Sequence, residues 1–213
     1  MMRPDKAETL VDLARTDQKY RIVLVHGFNV KDGGAQTVDQ LEPHLTELGH
    51  SCDLDSADYG YWSLLKIYFG GKRGIVRRLM KAFEFADIII THSNGANFSN
   101  LALEQMDPRE GDRPRLLVHF SPALNRKTPI PFSVDHQFVY HSSRDYIVRL
   151  STWLPFLPWG RMGARGYKGD GPNTNIDRSG KIAGHSTWFH GDNAKTYSHS
   201  VVAHVNHHIA RNP

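Results

Sequence analysis

A chain of 213 residues is long enough to bury one sizeable core and short for two independent ones, so a single domain over 1–213 is expected. Its 39% hydrophobic and 23% charged residues exclude a disordered or collagen-like chain. The formal charge of +4 is too mild to imply a polyanion partner unless concentrated on one face, and the single cysteine, Cys52, excludes an intrachain disulfide.

Residues 1–20 alternate charges with short apolar stretches and lack the apolar core of a signal peptide; they read as an N-terminal extension. No apolar run approaches the length of a bilayer span, so a soluble, cytoplasmic chain is expected. Arg21 to His26, RIVLVH, reads as a buried strand entering a loop through Gly27, Gly33 and Gly34. Val38, Leu41, Leu45 and Leu48 then recur at helical spacing, with Gly49 where a helix-ending glycine belongs. Cys52, between Ser51 and Asp53, has no neighbour that would make it a nucleophile and reads as a small buried or strand residue.

Lys66, Lys72, Arg73, Arg77, Arg78 and Lys81 form a basic run best read as a solvated helix face, the alternative being a lipid or nucleic-acid patch. Ile75, Val76, Leu79, Met80 and Phe83 give that segment an apolar helical stripe. The strand-like run Ala86 to Thr91 follows, then a turn and a third helical pattern through Ala96, Phe98, Leu101, Ala102 and Met106. Further strands are expected at Leu116 to Phe120 and Gln137 to His141, and a C-terminal helix carries Val201, Val202, Val205 and Ile209. This alternation predicts an α/β fold with a mostly parallel sheet covered by helices on both faces and a site at the carboxyl ends of the strands. Two aromatic segments, Tyr59 to Phe69 and Trp153 to Trp159, fit neither period; 151–172 in particular is a candidate lid or pocket wall, or else ordinary packing.

The chemically informative stretch is ADIIITHSNGANFSNLAL, which places Ser93 between a buried strand and a helix, with Gly95 two residues on. Such a strand-to-helix turn is a nucleophile elbow. It pushes the serine oxygen out of the sheet and leaves the Asn94 backbone N–H free for an oxyanion. His92 is next to Ser93 but reads as packed or substrate-facing, since neighbouring side chains at such a turn point apart.

Thr91-His92-Ser93-Asn94-Gly95, with His26-Gly27-Phe28 after the first strand, resembles the α/β-hydrolase superfamily of serine hydrolases, esterases and lipases among them. Threonine stands where the family's first glycine usually does. The resemblance implies an α/β-hydrolase fold with a small cap or none, a nucleophilic Ser93, and an oxyanion hole from the backbone N–H groups of Phe28 and Asn94. The family's chain order implies Asp145, in FVYHSSRDYIV, as the acid, and His185, in AGHSTWF, as the base. His199 is the main rival base and His190 a lesser one. His204, His207 and His208 have spacing that could suggest a metal site, but with no evident further ligand they read as a helix face, and no metal or cofactor is implied.

The implied reaction is hydrolysis of a carboxylic ester or related acyl compound, small-molecule or lipid, through an acyl-enzyme on Ser93. Peripheral membrane contact through the basic run is compatible with it, and nucleic acid is the less favoured partner. The alternative is a non-catalytic binding protein on the same scaffold, docking acidic lipid or nucleic acid and dispensing with Ser93.

Overall fold

The computed structural model describes residues 19–27, 36–53, 72–107, 115–151 and 159–211. Expectations for Phe28, Gly33, Gly34, Tyr59 to Phe69, Lys66, residues 152–158 and most of the N-terminal extension therefore fall outside the described residues.

Six strands form one parallel sheet: β1 (Arg21–Val25), β2 (Ser51–Asp53), β3 (Ile88–His92), β4 (Leu116–Phe120), β5 (His136–His141) and β6 (Asn173–Asp177). Their order is β2-β1-β3-β4-β5-β6. The helices are α1 (Glu42–Glu47), α2 (Lys72–Phe83), α3 (Gly95–Leu103), α4 (Tyr146–Ser151), α5 (Met162–Arg165) and α6 (Asp192–Arg211).

The central strands are apolar at nearly every position because both of their faces are covered. Ile22, Leu24, Ile88, Ile90, Val118 and Phe120 pack on one side with Leu45 of α1 and Tyr197, Val201 and Val205 of α6. The intervening Val23, Val25, Ile89 and Leu117 pack on the other with Ile75, Leu79 and Phe83 of α2 and Phe98 and Ala102 of α3. Each such side chain, fully buried, contributes about 1.5–3 kcal/mol to the folded state before the entropy of ordering is subtracted. The basic run divides accordingly: Arg73, Arg77, Arg78 and Lys81 face solvent while Ile75, Val76, Leu79 and Phe83 are buried. Gly49 ends the α1 turn at φ +88, a backbone conformation that favours glycine.

The α/β reading and four of the strands match the sequence, with shifts of one or two residues for β3 and β5. Two strands differ from expectation. β2 has only three residues, and β6, NTNID, is polar and mostly exposed, so neither carries an apolar period. The four-residue α5 and six-residue α4 are likewise too short to show one. Among the described residues no helix is long and apolar enough to cross a membrane.

Candidate active site

Strand β3 ends at His92, and the chain reverses into α3 through Ser93, which sits at φ 54. A non-glycine residue in this region is strained and persists only where its surroundings over-determine it. Here the Ser93 N–H donates to the Phe120 carbonyl (3.1 Å), and the Ser93 carbonyl accepts from the N–H groups of Ala96 (3.3 Å) and Ala123 (3.1 Å). Two glycines make the turn fit. A Cβ on Gly95 would lie 2.4 Å from the His26 carbonyl oxygen, and one on Gly27 would lie 2.9 Å from Ser93 Cβ. The loop after β1 is thereby pressed against the elbow.

Thr91, in the position where a first glycine would be usual, is fully buried and is accommodated by a side-chain hydrogen bond from the neighbouring strand. Its Oγ1 lies 2.6 Å from Nδ1 of His119, its register partner on β4. Burial pushes the His119 imidazole down to about 3, so it is neutral at physiological pH.

Asp145 follows β5 in a tight loop and is completely buried. Its Oδ1 accepts the Val148 N–H at 3.0 Å, and its Oδ2 lies 2.8 Å from Nδ1 of His185. Burying a carboxylate is costly unless it is paired and hydrogen-bonded, and these two contacts meet that demand. The two loops are also tied together where Ser142 Oγ donates to the Ile182 carbonyl at 2.6 Å. The Asp145 contact orients His185 with Nε2 as its other ring nitrogen.

His185 packs against His92, the residue before the elbow. His92 donates from Nε2 to the His185 carbonyl at 3.2 Å, and the two rings are 4.6 Å apart. Burial above all, then the nearby His185, holds His92 well below the usual imidazole range, so this neighbour of Ser93 is a neutral donor. Among the described residues no hydrogen bond joins His185 Nε2 to Ser93 Oγ; such contacts are often long before substrate tightens them.

Asn94 opens α3, and its backbone N–H donates to no described backbone carbonyl. Its side chain is 3% exposed and is held by Oδ1, which accepts from Trp159 Nε1 (2.8 Å) and Asn97 Nδ2 (3.0 Å). The indole N–H can only donate, so the atom facing it is the oxygen, and Nδ2 is the other branch. That Nδ2 is buried without a hydrogen-bond partner among the described residues. Leaving a donor in this state costs about 1–3 kcal/mol. The side-chain role of Asn94 and its link to Trp159, the last residue of the aromatic segment Trp153 to Trp159, were not apparent in the sequence.

The other predicted residues are placed apart. His199 is half-buried on α6 and its Nδ1 donates to the Lys195 carbonyl at 2.8 Å, while His190 is exposed before that helix. The structure thus brings His185, not either rival, to Asp145. His204 Nδ1 meets the Tyr140 hydroxyl at 2.8 Å, and His208 packs its ring 4.2 Å from that of His136. Among the described residues no group of three or more His, Cys, Asp or Glu could hold a metal ion. Cys52 is half-buried, and burial together with Glu42 pushes its thiol up to about 12, opposite to what a nucleophilic thiolate requires. The end of segment 151–172 packs closely: a Cβ on Gly160 would lie 2.3 Å from the Leu124 carbonyl oxygen, and one on Gly163 2.5 Å from the Ser121 carbonyl carbon. Residues 160 and 163 are therefore packed tightly on the loop after β4.

No protein-family model matches the sequence, and no curated protein resembles it significantly. Solved structures do. An alpha/beta-superfamily protein from Xanthomonas campestris pv. campestris superposes with a TM-score of 0.51 at 17% identity, covering 88% of this chain and 97% of that one. An extracellular alpha/beta-hydrolase from a Paenibacillus species superposes with a TM-score of 0.53 at 14% identity, covering 86% of this chain and 98% of that one. The parallel six-stranded sheet, the strand-to-helix elbow at Ser93 and these two superpositions together establish that the chain has the α/β-hydrolase fold.

Proposed function

We propose that the protein is a serine hydrolase that cleaves carboxylic esters or related acyl compounds, with Ser93 as nucleophile, His185 as general base and Asp145 as its orienting carboxylate. The observation that carries this reading is the 2.8 Å contact between a fully buried Asp145 and His185, whose ring lies 4.6 Å from that of His92, the residue before the strained Ser93 turn. A buried carboxylate on Nδ1 fixes the imidazole tautomer and stabilises the imidazolium that forms when Nε2 takes a proton.

In this mechanism Ser93 Oγ attacks the acyl carbon while its proton passes to His185 Nε2. The carbonyl oxygen becomes an oxyanion facing the Asn94 N–H, with the Phe28 N–H as the expected second donor. Collapse expels the alkoxide, which takes the proton from His185, and leaves the acyl group on Ser93. Water, deprotonated by the same imidazole, then releases the acid and restores the serine. Peripheral contact with a lipid surface through Arg73, Arg77 and Arg78 is compatible with an apolar ester but is not needed for the chemistry.

The test is labelling by a fluorophosphonate probe together with turnover of nitrophenyl esters, in the parent protein and in folded Ser93→Ala and His185→Ala variants. Both signals should fall by about 10^3-fold or more in each variant, as removal of either member of such a pair does. Labelling that persists in Ser93→Ala would overturn the assignment. An unlabelled, inactive parent would favour the binding-protein alternative.

A further inference from the structure

The Asn94 carboxamide is held at the elbow by its oxygen. Both acceptor positions of its oxygen are taken, one by the indole N–H of Trp159 and one by Asn97 Nδ2, so the plane of the amide is fixed. Asn97 Nδ2 also reaches the Ala123 carbonyl at 3.0 Å, which anchors the clamp to the loop after β4. Nδ2, with two N–H groups, is buried without a partner among the described residues. Buried donors in folded proteins are nearly always satisfied, and of the several exceptions among the described residues this one belongs to the residue after the candidate nucleophile, where a substrate can bring the missing acceptor.

The reach is set by covalent geometry. Nδ2 and the backbone N of Asn94, the expected oxyanion donor, hang from the same Cα and lie no more than about 5 Å apart. An acyl group bound with its carbonyl at that backbone N–H can therefore bring an atom two or three bonds beyond the carbonyl carbon to the carboxamide. The only atoms that would satisfy Nδ2 are hydrogen-bond acceptors.

We propose that Asn94 selects substrates through its side chain, its carboxamide N–H donating to an acceptor oxygen in the acyl group close to the scissile carbonyl, so that the preferred substrates are esters of α- or β-oxygenated acids rather than of plain alkyl acids. This inference rests on the acyl-enzyme reading of Ser93. No covalent step is added; the contact is a hydrogen bond retained from the bound ester to the acyl-enzyme. An alkyl acid of the same shape would leave Nδ2 buried and unpaired, and discrimination follows from that penalty.

p-Nitrophenyl methoxyacetate and p-nitrophenyl butyrate test it, because their acyl chains have the same length and differ by one ether oxygen in place of a methylene. Hydroxide-catalysed hydrolysis of the pair supplies their intrinsic reactivity ratio. The parent protein should prefer the methoxyacetate, as a ratio of kcat/KM values, by at least tenfold beyond that intrinsic ratio. Asn94→Asp keeps an acceptor for Trp159 and Asn97 but has no N–H, and it should bring the preference down to or below the intrinsic ratio; Asn94→Leu should do the same. A parent preference no greater than the intrinsic ratio overturns the proposal without any variant. So does a preference that survives in Asn94→Asp. In either case fluorophosphonate labelling of the parent at Ser93 leaves the acyl-enzyme reading standing, whereas an unlabelled parent with no turnover removes that reading and this inference with it.

Discussion

The side chain of His92 holds the main chain of His185: Nε2 donates to the His185 carbonyl at 3.2 Å, and the rings lie 4.6 Å apart. The residue before the candidate nucleophile thus positions the loop that carries the candidate base. Replacing His92 with Phe keeps an aromatic ring against Phe189 but removes the donor. Ester turnover should fall about 2- to 10-fold, the worth of one ordinary hydrogen bond, chiefly in kcat. Steady-state kinetics with a far-UV spectrum as a folding control would check this, and an unchanged kcat would assign His92 a packing role alone.

Asp145→Asn offers Nδ1 of His185 an amide that can donate, and so favours the wrong imidazole tautomer. We expect kcat to drop by about 10^3- to 10^4-fold with the serine still in place. Burst and steady-state rates with a nitrophenyl ester measure it. A variant within tenfold of the parent would show that the 2.8 Å contact is structural.

His199→Ala should leave kcat/KM within about twofold of the parent, because a half-buried side chain bonded to its own helix, away from Asp145, has little to contribute. The same assay decides between the two histidines: loss of turnover here, with retention in His185→Ala, would exchange their roles.

Gly95→Ala would place a methyl group against backbone, 2.4 Å from the His26 carbonyl oxygen and 2.8 Å from that of Val25. Neither oxygen belongs to a flexible side chain that could swing away. Overpacking of this kind costs about 1–3 kcal/mol. Thermal or denaturant unfolding should register that loss, and fluorophosphonate labelling should slow as the elbow and the loop after β1 are forced apart.

Stability should weaken in mild acid. Burial lowers His119 to about 3 and, with a second contribution from His208, His136 to about 4; burial followed by Arg178 and His207 lowers His204 to about 4. A histidine whose folded pKa lies below its unfolded value of 6.5 takes up its proton more readily when unfolded. Its contribution is complete above about pH 6.5, declines as the pH falls toward its folded pKa, about 4 for His136 and His204 and about 3 for His119, and is constant below that. The Tm should therefore fall through this window, and His204→Gln, which can keep a partner for the Tyr140 hydroxyl, should flatten the slope. An equal slope in parent and variant would remove His204 from the account.

The central strands were legible because a segment buried on both faces must be apolar throughout, and RIVLV, IIITH and LLVHF leave little alternative. NTNID was not, since an edge strand gains its hydrogen bonds from β5 without needing an apolar face. Ser93 stood out through its turn between strand and helix. Asp145 was reached through chain order and then found beside His185, a pairing that no spacing encodes. The Asn94–Trp159 hydrogen bond joins positions 65 residues apart and has no local signature at all. Phe28 lies outside the described residues, so its expected part in the oxyanion hole rests on sequence.

The polar character that hid β6 has a consequence for solubility. Among the described residues β6 and β2 end the sheet, and a terminal strand offers unpaired backbone groups to any passing chain. Three residues of β2 give such a chain little to zip against, and Pro172 immediately before β6, with Asn173, Asn175 and Asp177 within it, makes the other border short of apolar grip. Converting the exposed Thr174 and Asn175 to valine would raise the strand-forming tendency of that border, and the protein should then associate edge to edge at concentrations where the parent stays dispersed.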